Sequence, residues 1–240
     1  MSQRILGAIR DRARLVYLSA RLIAGRWWWV VPVIPLLWTA YLILSLVFQW
    51  GDTDEYSAYS AQNLMIAVPL ASLAIGLGVR IIAAEIDSRT LEIAYTVPGG
   101  TRKVWLAKLA AAALMLAVAE LLLAGVARVL LTDFPVGVLY TAFQAAIFYL
   151  VLSMALSALF KSEVTGALVS IPFLIIGMSL SPFRPSPFFN TLLPQIADRA
   201  DPSDVLAWTI QNRVGYALVI LAIVALAFAR AERREQMMSG

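Results

Sequence analysis

The feature that most constrains the fold is a succession of apolar runs, most of them about 20 residues long, with few charged residues inside them. A helix needs about 20 predominantly apolar residues to cross the hydrocarbon core of a bilayer. Only 14% of the residues are charged and the mean hydropathy is +0.80, whereas about 25% are charged in soluble domains. The sequence therefore predicts an all-α integral membrane protein with a single transmembrane domain over residues 1–240.

Six apolar runs predict six transmembrane helices. The expected spans are 27–50, 64–84, 109–131, 138–160, 164–181 and 210–229. Some spans contain prolines, which kink a helix when neighbouring groups bond to the carbonyls they free. These prolines are Pro32, Pro35, Pro69 and Pro172.

Residues 2–24 predict an amphipathic helix, because arginines alternate with apolar residues at three- and four-residue spacing. The helix leads directly into an apolar run, so we expect it to lie in the headgroup layer. A cleaved signal peptide is the alternative. The arginine region and the apolar run are both too long for one, and no small-residue cleavage site is evident.

The distribution of Lys and Arg predicts the orientation. Six spans place most of these residues, including the N-terminal arginines and the basic tail, on one side, which indicates that both termini lie in the cytoplasm. We expect the chain to be a multi-pass protein of the plasma (inner) membrane. The net charge of +4 follows this pattern, so we expect no nucleic-acid partner. Residues 182–209 lie on the external side and mix prolines with aromatic residues, which favours short interfacial or re-entrant helices over an irregular surface loop.

One polar stretch, Glu85 to Lys108, separates the second and third expected spans. Ionised side chains are costly in hydrocarbon, so the stretch must lie in water or against a partner. Its first part, residues 85–100, predicts a cytoplasmic helix with apolar contact residues, ended by Pro98-Gly99-Gly100. A solvated loop whose charges only fix the topology is the alternative.

The polar stretch contains a spaced set of residues: Glu85, Thr90-Leu91-Glu92, Pro98, Arg102 and Lys108. In this set it resembles the membrane permease subunits of the ABC type-2 transporter family. That family typically has a glutamate entering the loop, a threonine-leucine-glutamate or similar triplet, a proline about six residues later, and a basic residue before a lysine at the third span. Arg89 stands where the family often has glycine, and Gly99-Gly100 replaces a more polar pair.

The resemblance implies that residues 85–100 form a coupling helix that docks on a separate ATPase subunit. The docking residues would then be Glu85, Arg89, Thr90, Leu91, Glu92, Tyr95, Pro98, Arg102 and Lys108. It also implies a second permease copy, as a homodimer or a heterodimer with a similar permease, and a role in export. The chain has no P-loop sequence and neither Cys nor His, so we expect no catalytic site or cofactor in this chain, with ATP and Mg²⁺ on the ATPase.

Glu120 lies near the middle of the third expected span. A carboxyl group at that depth should face the interior of the bundle, protonated or paired. Three roles remain open: a substrate-pathway residue, a gating bond to a polar residue such as Gln144, or a neutral buried acid. Tyr140 is a weaker pathway candidate.

Two other classes of function compete with the permease. In the first, an ion-gradient-driven secondary transporter uses Glu120 as its proton carrier, although the sequence shows no internal repeat of the kind common in such folds. In the second, the chain is a membrane scaffold without transport activity.

Overall fold

The computed structural model describes residues 2–48, 61–87, 101–130, 134, 136–180 and 202–232. Seven α-helices run through these residues, and no strand occurs among them. They are α1 (Ser2–Ala24), α2 (Leu36–Val47), α3 (Val68–Asp87), α4 (Thr101–Leu130), α5 (Gly137–Phe160), α6 (Glu163–Leu180) and α7 (Pro202–Ala231). Two 3₁₀ turns, Gly25–Trp27 and Val31–Val33, precede α2, and a π-helix, Ala61–Ala67, leads into α3.

Four of the described helices are long and apolar enough to cross a bilayer. These segments are Asn63–Asp87, Thr101–Leu130, Gly137–Phe160 and Leu206–Ala231. A bent pair, Ala13–Trp27 with Val31–Ser45, makes five if it counts as one span. The described part of the chain is therefore helical, with four or five elements compatible with crossing a membrane, and the number six stays a prediction.

A sharp bend lies where the expected amphipathic helix, 2–24, meets the expected first span, 27–50. The axes of Ala13–Trp27 and Val31–Ser45, on either side of the bend, differ by 68°. Gly25 has a φ of +75°, a left-handed conformation that favours glycine. Pro32 lies at the start of the second 3₁₀ turn, where its missing N–H removes no helical bond. The 12-residue α2 that follows is about 18 Å long, shorter than a bilayer core of about 30 Å.

The entry to α3 shows how the helix accommodates Pro69. In a π-helix each N–H bonds five residues back, so the missing N–H of Pro69 leaves the carbonyl of Leu64 without its helical donor. Trp38 Nε1 on α2 donates a hydrogen bond to this carbonyl at 2.8 Å. A neighbouring helix therefore supplies the donor that the proline lacks.

Helix α5 is the centre of the bundle, since α3, α4, α6 and α7 all pack against it. Glycines allow two of these helices, α3 and α6, to pack closely against α5. A Cβ on Gly78 of α3 would overlap Ser153 and the backbone of Leu150, and a Cβ on Gly166 of α6 would lie 2.6 Å from Cα of Ser157. The observed bounds of α5, 137–160, agree with the expected fourth span.

The long connection expected to be external, 182–209, is described only at its end. Pro202 to Thr209 belongs to α7, which continues without a break into the expected sixth span. Proline at a first helical position is favourable because its fixed φ suits the helix. The interfacial or re-entrant pieces expected at 182–201 lie outside the described residues.

Candidate functional site

The described ends of the polar stretch lie on two neighbouring helices. Glu85 lies in the last turn of α3, so it closes the second apolar helix and does not open a separate one as the sequence predicted. Arg102 and Lys108 lie at the start of α4. The other predicted docking residues lie outside the described part of the chain: Arg89, Thr90, Leu91, Glu92, Tyr95 and Pro98.

Glu85, Trp105 and Lys108 form one buried group, here called the charged junction. Lys108 Nζ lies 2.7 Å from Oε1 of Glu85 and also donates to the carbonyl of Ile81 at 3.1 Å. Trp105 Nε1 donates to Oε2 of Glu85 at 3.1 Å. Both carboxylate oxygens therefore have donors, and two of the three ammonium protons have acceptors.

Burial makes the charged junction a rigid connection between α3 and α4. The side chain of Lys108 is 4% exposed, that of Glu85 is 13% exposed, and Trp105 is fully buried. Removing one member of a buried ion pair leaves the other charge uncompensated, which typically costs about 3–5 kcal/mol. Lys108 is therefore not available as a docking surface in this conformation, although the sequence placed it among the docking residues.

Arg102 connects the start of α4 to the end of α7. Its guanidinium pairs with the carboxylate of Glu232, and Nη2 donates to Oε2 at 2.7 Å. The Arg102 side chain is 62% exposed, so solvent weakens this pair. Beneath it, the rings of Trp105 and Phe228 lie 5.7 Å apart and connect the same two helices.

Asp87 connects the end of α3 to the start of α6. Its Oδ2 accepts a hydrogen bond from the backbone N–H of Glu163, the first residue of α6, at 3.2 Å. The Glu163 carboxylate in turn lies 3.6 Å from Nε of Arg80 on α3. The first N–H groups of a helix have no acceptor within that helix, and here a carboxylate on α3 accepts one of them from α6.

Together these contacts connect both ends of the 88–100 segment to four helices. Sequence analysis had singled out Glu85, Arg102 and Lys108, but not as an ion pair of Glu85 with Lys108, and it had not singled out the other residues that contact this region. The missed residues are Arg80, Trp105, Glu163 and Glu232. Only the tertiary structure brings them together, since Arg102 and Glu232 are 130 positions apart.

Glu120 lies inside the bundle, as its position in the third span predicted. It is 7% exposed, and its carboxyl group faces the backbone of Phe143 on α5. Its Oε1 has no hydrogen-bond partner among the described residues. Gln144, the expected gating partner, instead donates from Nε2 to the carbonyl of Arg213 on α7 at 2.9 Å.

The remaining predicted residues, Tyr140 and Gln144, line a cleft between α5 and α7, here called the α5/α7 cleft. Its volume is about 320 Å³. Arg213 lies over the Tyr140 ring, with Cζ 4.6 Å from the ring centroid. The structure therefore places Tyr140 and Gln144 together on one face of α5 and gives Glu120 a separate, buried environment.

Comparisons with known proteins do not assign the chain to a family. Models of protein families, curated proteins and solved structures were each compared with it, and none matches.

Proposed function

We propose that this chain is the transmembrane permease subunit of an ABC transporter, acting in export with a separate ATPase subunit and a second permease copy. The observation that carries the proposal is the charged junction of Glu85, Trp105 and Lys108. It joins the two helices on either side of the polar segment that resembles a coupling helix. A segment held in this way can transmit force, whereas a solvated loop that only fixes topology has no need of a buried ion pair.

The proposed mechanism treats residues 88–100 as a lever. Closure of the ATPase subunits on ATP and Mg²⁺ displaces this segment. The charged junction then moves the ends of α3 and α4 as one unit, and the contacts of Asp87 and Arg102 carry the displacement to α6 and α7. The bundle responds by exposing its interior to one leaflet or the other.

The charged junction determines which residue should be mutated. Charge reversal at Glu85 would place two cations together in a buried site, so lost activity could reflect lost stability alone. Glu92 lies in the segment itself, and Glu92→Lys is therefore the better test of docking. Asp54→Lys is the matched control, because its loop is expected on the opposite side of the membrane.

The experiment is to purify the chain with its ATPase and to measure ATP hydrolysis and transport in reconstituted vesicles. Wild type and Asp54→Lys should retain a bound ATPase whose hydrolysis drives transport. Glu92→Lys should lose that coupling while inserting normally into the membrane. Transport that needs no ATPase, or that Glu92→Lys leaves intact, would overturn the proposal.

A second candidate function, an ion-driven transporter, is favoured by one observation. Oε1 of Glu120 is buried without a hydrogen-bond partner among the described residues, which suits a carboxyl group that binds and releases a proton. In vesicles with a pH gradient and no ATP, wild type would then transport and Glu120→Gln would not. Equal activity of the two proteins, or a strict need for ATP, would exclude this function.

A further inference from the structure

The α5/α7 cleft is apolar along its length and polar at one end. Five apolar side chains line it: Phe143, Ile147, Ala217, Ile220 and Leu221. The polar residues Tyr140 and Gln144 belong to the same stripe of α5, and the amide nitrogen of Gln144 is already bonded to the carbonyl of Arg213. From Tyr140 to Ile147 the cleft extends about 10 Å along α5, at 1.5 Å per residue.

Arg213 lies beside the polar end of the cleft, against Tyr140. Its guanidinium is exposed and contacts the face of Tyr140. Within the described ranges, no carboxylate forms an ion pair with it. A guanidinium has five N–H donors in a planar fork that matches phosphate and carboxylate oxygens. The contact with the Tyr140 ring occupies the face of the planar guanidinium and leaves the N–H donors at its edge available to an anion.

The position of Arg213 along the bundle places it near a membrane surface. Tyr140 lies three residues from the first residue of α5, or about 5 Å along the helix. Tyrosine is frequent at that depth, where aromatic rings lie at the headgroups. Arg213 is therefore close enough to the headgroup layer for its charge to reach it while its stem lies along apolar surface.

We propose that the α5/α7 cleft binds an anionic phospholipid from the adjacent leaflet. The phosphate of the headgroup pairs with the guanidinium of Arg213, and one acyl chain lies between α5 and α7 against Phe143, Ile147 and Ile220. This leaflet is the one at the Gly137 end of α5, on the side of the bundle opposite the charged junction of α3 and α4. This site is separate from the ATPase-docking segment, and its assignment does not depend on the proposed transport function.

The charge favours a lipid over a helix from another protein copy. The cleft, of about 320 Å³, has room for part of a single acyl chain. The cationic end selects an anionic headgroup, since charge-assisted bonds to phosphate are stronger than neutral ones.

Photoactivatable lipids can test this site in the intact chain. The protein is reconstituted in phosphatidylcholine vesicles that contain a trace of phosphatidylglycerol or phosphatidylcholine, each with the same diazirine-labelled acyl chain. Labelled peptides are mapped by mass spectrometry. In wild type, the phosphatidylglycerol probe should label residues 143–147 and 217–221 about tenfold more than the phosphatidylcholine probe does.

Variants separate the contribution of the charge from that of the cleft. Arg213→Gln should reduce phosphatidylglycerol labelling to the phosphatidylcholine level, whereas Arg213→Lys should retain part of the preference. Arg230→Gln, at the other end of α7, should change nothing. Ala217→Phe should reduce labelling by both probes because it fills the cleft, whereas Ala222→Phe, exposed on the same helix outside the cleft, should not.

Three results would overturn the proposal. The first is equal labelling of the cleft by the two probes in wild type. The second is a preference for phosphatidylglycerol that survives Arg213→Gln. The third is crosslinking across the cleft between two copies of the chain, which would make the cleft a protein interface.

Discussion

Lys108 on α4 and Glu85 on α3 form a buried ion pair, with 2.7 Å between Nζ and Oε1, at the two ends of the polar segment. The two residues are 23 positions apart, and all of residues 88–100 lie between them. The pair therefore closes a loop. Its two ends cannot separate without leaving two unpaired charges in a poorly solvated site. This geometry predicts a strong dependence of stability on both partners together.

Lys108→Met should destabilise the protein by about 3–5 kcal/mol, because it leaves the Glu85 carboxylate buried without a counter-charge. The double variant Glu85→Gln/Lys108→Met should recover much of the loss, since it removes both charges. Thermal unfolding in detergent, followed by tryptophan fluorescence, measures the stability of wild type, of each single variant and of the double variant. Lys103→Met is the control on the same helix, and because Lys103 is exposed its cost should stay within about 0.5 kcal/mol. Additive losses in the double variant would contradict the coupling.

Gly78→Ala should destabilise the bundle by about 1–3 kcal/mol, because the added Cβ overlaps Ser153 and Leu150 on α5. Gly76→Ala is a matched control two residues away. A Cβ on Gly76 meets no heavy atom within 4 Å, so this variant should be neutral or gain up to about 1 kcal/mol from helix propensity. Unfolding midpoints of the two purified variants make the comparison. Equal midpoints would show that α3 and α5 do not approach closely at Gly78.

Trp38→Phe should destabilise the junction of α2 with the π-helix by about 1–3 kcal/mol, because the Leu64 carbonyl loses the hydrogen bond from the Trp38 indole. The control is Trp29→Phe, since Trp29 is 58% exposed and contacts the ring of Trp27. Hydrogen exchange of residues 64–70, measured by mass spectrometry, should rise in Trp38→Phe alone. A rise of the same size in both variants would exclude a specific role for the bond.

Asp87→Ala should loosen the start of α6 by about 1 kcal/mol, because the N–H of Glu163 loses its acceptor. Asp87→Asn keeps a side-chain oxygen and should retain most of that stability. Local hydrogen exchange at residues 163–166 distinguishes the two variants. If Ala and Asn give the same exchange rates, the carboxylate does not cap α6.

The sequence predicted the helices whose hydrophobic runs are long and uninterrupted. The fourth expected span, 138–160, matches α5 (Gly137–Phe160) within one residue. The same reasoning was less successful at 27–50, where a short 3₁₀ turn and two prolines, Pro32 and Pro35, precede a helix of only 12 residues. A hydrophobicity profile averages over many residues and so does not show such breaks, whereas the backbone conformation is set residue by residue.

For the candidate site, the sequence identified several of the residues but not how they pair. Glu85 and Lys108 were both singled out, but as docking residues and not as partners of each other. Glu120 was correctly expected inside the bundle, whereas the amide of Gln144 bonds to the backbone of Arg213 on α7. Arg213 was not a predicted site residue, since an isolated arginine in a sequence does not reveal which ring or cleft it faces.

The sequence by itself determined that this protein is helical and spans a membrane, because the thickness of a bilayer sets the length of an apolar run and hydrocarbon forces its backbone into helices. Only the tertiary structure decided which charges are buried together and which remain exposed. That outcome depends on which helices adjoin: Lys108 is buried because α3 brings Glu85 to it, and Arg213 stays exposed at the end of a cleft between α5 and α7. Pairing over such distances follows from packing, which local sequence does not encode.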